Sequence, residues 1–198
     1  METKLDLKDL LDEVRACRLC EDALPLAPRP IVSAGSSATV LLIGQAPGTR
    51  VHESGVPWDD PSGDRLRFWL GVSKETFYDP DVVAIIPMGF CYPGKGKSGD
   101  LPPRPECAPA WHQQILSLLP SVQLTILIGS YAQKYYLGKQ AVTLTETVRS
   151  WRELPAHLLP LPHPSPRNNI WLRRNPWFEL EVLPELKTRV SGYLCSGT

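Results

Sequence analysis

The stretch Ala38-Thr39-Val40-Leu41-Leu42-Ile43-Gly44 decides the fold. It is apolar at consecutive rather than alternate positions, it is short, and it ends on glycine. A strand of that kind is buried on both faces, the situation of a parallel sheet covered by helices. The same pattern recurs at DVVAIIPMG (81–89) and QLTILIG (123–129), and more weakly at HLLPLP (157–162). Between these runs the spacing turns helical. Leu7, Leu10, Leu11 and Val14 predict a helix over 5–20, and further helices are expected over 64–70, 107–119, 130–137, 146–153 and 176–193. Strands alternating with helices predict an α/β fold, a three-layer α/β/α sandwich around a central four-stranded parallel sheet. With no internal repeat and no boundary signal, residues 1–198 are read as a single domain, a length that suits one such core.

Composition narrows the class. Hydrophobic residues make up 42% and charged residues 21%, ordinary proportions for a globular chain, and no apolar run is long enough to span a bilayer. The opening METKLDLKDL is charged and alternating, unlike a secretory signal, so a cytoplasmic location is expected. In that reducing setting cysteines serve more often as ligands than as disulfides. The 21 basic and 21 acidic residues cancel, so nothing in the overall charge announces a nucleic-acid partner and local charge must do so. Many of the 21 prolines fall at PRP, PPRP and LPLPHPSP, predicting long stiff loops. The chain is read as a monomer with no membrane association.

In parallel sheets ligands bind beyond the carboxyl ends of the strands. Here those ends carry GQAPG (44–48), PMGFCYPG (87–94), GSYAQ (129–133) and HPSPRN (163–168). Their convergence predicts one site. Separately, Cys17-x2-Cys20 is placed at the end of the first helix, and Cys91 and Cys107 flank a Gly/Pro-rich loop. Four soft thiolates of this kind suit zinc or an iron–sulfur cluster, and spacing does not separate the two. Cys195 has no partner at useful spacing.

These motifs, in order, resemble the iron–sulfur uracil-DNA glycosylases of families 4 and 5: a C-x-x-C before the first strand, a strand ending in G-x-A-P-G, a later Cys-x15-Cys, and a distal H-P-S. The resemblance runs from about Cys17 to Asn168. It implies that Cys17, Cys20, Cys91 and Cys107 hold a structural [4Fe–4S] cluster, with zinc the alternative, and that DNA is the partner. It implies base excision, in which a nucleotide leaves the stack, its base lies on an aromatic ring, and donors take up the charge of the departing base.

Gly44-Gln45-Ala46-Pro47-Gly48 would present backbone N–H groups to the base, making Gly44, Gln45 and Ala46 base-binding residues. Family 4 carries Glu where Gln45 stands, and family 1 carries Asp where Ala46 stands. Family 5 lacks both and draws its acid from a downstream G-x-P-F-x-G-D-x-S-G stretch. The related segment here runs from Gly55 to Gly63. It matches Trp58 to the stacking ring and Asp60 to the acid that orients water, with Asp59 in reserve; the competing reading makes Asp59 or Asp60 a helix cap.

His163-Pro164-Ser165-Pro166-Arg167-Asn168 resembles the second superfamily motif in the form seen in single-strand-selective glycosylases. His163 would then donate to a base oxygen and Ser165 reach a phosphate. Where family 4 has a uracil-reading asparagine, four residues before the third cysteine, this chain has Pro87. Arg167, Lys95 and Lys97 are the expected DNA contacts. Arg173 and Arg174 around Trp171 and Trp177, and Arg104, add local positive charge. His52 is a second candidate beside the first motif; His112 and His157 carry no such support. The alternative function is a catalytically silent relative that binds damaged or single-stranded DNA.

Overall fold

The computed structural model describes residues 6–97, 99–138 and 142–195, the last without its side chain. The first residue of the helix expected over 5–20 and the side chain of Cys195 thus lie outside the described residues.

Among the described residues four strands form one sheet: β1 (Val40–Ile43), β2 (Val83–Ile85), β3 (Leu124–Ile128) and β4 (Leu158–Leu161). All pair in parallel, in the order β2-β1-β3-β4. The consecutive apolar residues expected of two-faced burial sort onto opposite sides. Val40, Leu42, Val83, Ile85, Leu124, Ile126, Ile128, Leu159 and Leu161 point into one core, while Leu41, Ile43, Ala84, Ile86 and Leu127 point into the other. Helix α3 (Pro61–Leu70), α4 (Lys74–Tyr78), α7 (Leu144–Arg149) and α9 (Leu183–Cys195) cover the first core through Leu66, Trp69, Phe77, Val148 and Leu186. On the second lie α1 (Leu7–Arg15), α5 (Gln113–Ser117) with the π turn before it, and α6 (Ser130–Leu137), through Leu10, Val14, Ile115 and Ala132. Each fully buried aliphatic side chain contributes about 1.5–3 kcal/mol. The expected three-layer α/β/α sandwich is the observed fold.

Several boundaries differ from expectation, for physical reasons. Helix α1 ends at Arg15 with Ala16 as its cap, so Cys17 and Cys20 stand in the turn beyond it rather than in the helix. Of the strand expected over 81–89 only Val83–Ile85 is regular, although Ile86 N–H and Met88 N–H still reach Leu42 O and Gly44 O beyond it. The helices expected over 107–119 and 176–193 each open with a π turn, Ala108–His112 and Phe178–Val182, close to Pro109 and Pro184. A wide turn accommodates a residue that cannot make the regular bond. Three short helices were not anticipated, α2 (Thr49–Ser54), α4 and α8 (Asn169–Arg174); at five or six residues each they are too short to carry a periodic signal.

Two buried polar side chains tie the carboxyl edge of the sheet together. Gln133 on α6 donates to the carbonyls of Leu127 (3.3 Å) and Leu161 (2.9 Å), while Gly129 N–H also reaches Leu161 O at 2.9 Å. His112 bridges Pro87 O (3.0 Å from Nε2) and the Tyr136 hydroxyl (2.5 Å from Nδ1). A carbonyl can only accept, so the proton is on Nε2 and Tyr136 donates to Nδ1. Burial holds this ring neutral, lowering its pKa from 6.5 to about 4.

Two outcomes follow. Gln133→Leu strands two carbonyl contacts in the core and should cost about 1–3 kcal/mol in urea unfolding. Because the native pKa of His112 is depressed, the unfolded chain takes the proton first as pH falls. Its contribution is therefore complete above pH 6.5 and drains towards pH 4, by about 3 kcal/mol. His112→Gln should be less stable than wild type at pH 7.5 and show a flatter stability profile between pH 6.5 and 4.5; parallel profiles would contradict this.

Candidate functional site

Beyond β1, residues 44–48 turn tightly and Gly48 becomes the N-cap of α2. The segment that leaves β2 stays zipped to this turn, with Met88 N–H on Gly44 O and Gly89 N–H on Gln45 O, both 2.9 Å. Helix α2 ends at Gly55, whose φ of 75° permits the turn, and the Arg29 guanidinium donates to the terminal carbonyls of His52 and Glu53. The chain then reaches Trp58, which at φ 58° is the one non-glycine residue with positive φ among the described residues. Strained backbone of this kind gathers at functional sites. It lays the indole on Gly44, where a Cβ would stand 2.8 Å from Cζ2, and the Trp58 carbonyl on Gly63, where a Cβ would stand 1.7 Å away.

Asp60 serves as the N-cap of α3: its Oδ1 accepts from Gly63 N–H at 2.8 Å, and Pro61 starts the helix. The capping reading is therefore correct. It does not displace the other, because Asp60 also lines the cavity. Asp59 is exposed.

From β4 the chain enters His163-Pro164-Ser165. Ser165 N–H donates to His163 Nδ1 (3.2 Å), so the neutral imidazole carries its proton on Nε2. Burial lowers the His163 pKa, and the nearby negative charge of Asp60 works against that shift. Asn168 clamps the loop by donating to His163 O (2.7 Å), and Arg65 reaches Ser165 O (3.2 Å). The His163 ring lies 5.5 Å from that of Trp58, tilted by 34°.

These segments enclose one cavity of about 230 Å³ at the carboxyl edge of the sheet. Gly44, Gln45 and Ala46 line it from the first loop, Trp58 and Asp60 from the second, and His163, Ser165 and Arg167 from the last. Pro87 contributes from beyond β2. The eight residues singled out from the motifs thus line a single cavity. Asp100, which sequence reasoning passed over, lines it as well.

Lys95 and Lys97 are exposed on a hairpin beside the cavity without lining it. Trp171 and Trp177 pack onto the core around Phe178, and Trp171 Nε1–H donates to Thr145 Oγ1. His157 precedes β4, at the opposite edge of the sheet. His52 faces Tyr92 with its Nδ1 buried and unpaired.

The four cysteines form a separate cluster of free thiols. Cys91 and Cys107 are buried, and burial, with a smaller contribution from the neighbouring cysteines, pushes their pKa values up to about 11 and about 12. Cys20 is raised chiefly by burial too, and is hydrogen-bonded to Cys107. The backbone N–H groups of Arg29 and Phe90 donate to Cys91 and Cys107 respectively. Among the described residues no three His, Cys, Asp or Glu side chains are drawn in as the ligands of a single metal ion. Nor is any described helix long and apolar enough to cross a membrane.

The parallel α/β/α sandwich thus carries an aromatic, His- and Asp-lined cavity at its carboxyl edge, where ligands of such sheets bind. The family model described as the Uracil DNA glycosylase superfamily matches residues 32–187, and the chain belongs to that superfamily. That span takes in every residue that lines the cavity except Ile31.

The close approaches around Trp58 give a test. Gly44→Ala pushes only against the end of an indole, so near-UV circular dichroism should change with a small loss of stability. Gly63→Ala meets backbone and should cost about 1–3 kcal/mol or more. Equal losses from both would contradict the packing described.

Proposed function

We propose that this protein is a DNA glycosylase that hydrolyses the N-glycosidic bond of uracil or a related deaminated base. The observation that carries the reading is the opposition of Trp58, Asp60 and neutral His163 around one base-sized cavity. An extruded base enters beside the indole, which supplies an apolar face. As the glycosidic bond breaks, negative charge grows on a base carbonyl oxygen. The Nε2–H of His163, fixed by the Ser165 hydrogen bond to Nδ1, donates to it without first having to lose a proton. Asp60 orients the attacking water and stabilises the cationic sugar; its hydrogen bond to Gly63 keeps it in place. Ser165, Arg167, Lys95 and Lys97 take DNA phosphates.

In the same reading Cys17, Cys20, Cys91 and Cys107 hold a [4Fe–4S] cluster. The donor set fits: four thiols without a disulfide, two of them buried where an uncompensated thiolate is unfavourable, with N–H groups directed at sulfur. The cluster supplies no step of the hydrolysis. It staples the turn after α1 to both ends of the segment between Cys91 and Cys107.

A second reading, a silent DNA-binding relative, is favoured by one feature: Gln45, Ala46 and Pro87 line the cavity where relatives carry a carboxylate or an amide.

Oligonucleotides each bearing one uracil, hypoxanthine or xanthine, in single and double strands, decide between them. Wild type should form abasic sites on at least one. His163→Ala and Asp60→Asn, which keeps a capping oxygen, should each lose about 10²–10³-fold in rate. DNA binding with no turnover in any of the three proteins would favour the silent reading. Anaerobically purified protein should be brown, absorb near ~400 nm and contain about four irons per chain; stoichiometric zinc would replace the cluster.

A further inference from the structure

The segment between Cys91 and Cys107 does more than carry positive charge. Residues 94–97 pair with residues 99–101 as the two arms of a hairpin: Leu101 N–H donates to Gly94 O (2.8 Å), Gly96 N–H to Gly99 O (2.6 Å), and Lys95 bridges Asp100 in antiparallel fashion. The hairpin leans over the first loop, where Gln45 Nε2 donates to Leu101 O (3.2 Å). Its one acid, Asp100, is set on the cavity wall, with Oδ2 3.5 Å from where a Cβ on Gly48 would stand. Across the mouth, the Arg167 guanidinium lies over Gly99, 2.8 Å from the position of a Cβ there. The carboxyl is thus within reach of the charges of Arg167, Lys95 and Asp60. Partial burial and the charge of Asp60 raise its proton affinity, while Arg167 and Lys95 lower it.

We propose that Asp100 is a second catalytic carboxylate of this site, the group that accepts the proton of the attacking water. The assignment rests on the glycosylase reading and deepens it. Asp60 is committed to the α3 cap through Oδ1, and a proton placed there would weaken that bond. Asp100 caps no described helix and is an exposed residue of the cavity lining, open to solvent water; in this reading the sugar of an extruded nucleotide lies beside it. The step balances. The bond from C1′ to the base nitrogen breaks with its electron pair leaving on the base. The water oxygen bonds to C1′ and one of its protons passes to Asp100. That proton is released through solvent and the base anion is protonated in turn, so water and the nucleotide give free base and an abasic sugar. Asp60 orients, Asp100 accepts, and His163 meets the charge that departs.

The test uses intact holoprotein in excess over an oligonucleotide bearing the base that wild type cleaves best, so that the rate of the bound complex is read. Asp100→Asn should lower that rate about 10²-fold or more, with oligonucleotide affinity unchanged or tighter once a negative charge is removed beside the phosphates. Asp100→Ser, read alongside with thermal melting, should lose rate equally and keep the wild-type melting temperature. A merely structural role would move affinity and melting and leave the bound-complex rate alone. Wild-type cleavage with either variant folded and within about threefold of that rate overturns the role of Asp100 and leaves the glycosylase reading standing. Absence of cleavage by wild type on every base removes that reading and this assignment with it.

Discussion

The site depends on the parallel ladder between β1 and its neighbours. Parallel pairing brings the carboxyl ends of all four strands to one edge, and the order β2-β1-β3-β4 sends the chain one way after β1 and the other way after β3. A crevice opens at such a reversal. Hydrogen bonds carry the β1–β2 pairing past the strands, from Ile86 N–H on Leu42 O to Gly89 N–H on Gln45 O, so two cavity walls are set by the sheet itself. Gln133 does the same for the other side by joining the ends of β3 and β4 next to the His163 loop. The walls are therefore rigid where the chemistry needs fixed donors.

Electrostatics inside the cavity follow from that frame. His163 is pressed against Trp58, so burial favours its neutral form and the hydrogen bond from Ser165 selects the tautomer. Asp60 and Asp100 approach from different elements, one fixed at a helix start and one on a hairpin, and Arg167 balances the second. The cysteine cluster lies outside the cavity but sits at both ends of the segment that bears Asp100. A cluster held there, as proposed, would take no part in the chemistry and would still fix both ends of that segment.

Much of this was legible in the sequence. Two-faced burial leaves an unmistakable mark, a short run of consecutive apolar residues ending at glycine, and three of the four strands carried it clearly. The fourth, with Pro160 inside it, gave a weaker signal and still formed. The ordered motifs brought eight residues to one cavity: two of the loops that carry them leave strand ends, and the third lays Trp58 against Gly44. What stayed hidden depends on distance in space. Asp100 lies in a loop that reads as glycine, lysine and proline, and only the hairpin pairing of Lys95 with Asp100 turns it towards Gly48. His112 looked idle because its partners, Pro87 and Tyr136, are 25 and 24 residues away along the chain. Trp171 and Trp177, which the sequence sets among arginines, pack against the core around Phe178.

The most direct measurement of the central claim is a crystal structure of the holoprotein with DNA carrying a deoxyuridine analogue that cannot be hydrolysed. The account predicts an extruded base in the cavity beside Trp58, with a carbonyl oxygen within hydrogen-bond distance of His163 Nε2 and the sugar between Asp60 and Asp100. A base left stacked in the helix, or DNA bound on a face away from the carboxyl edge of the sheet, would contradict it.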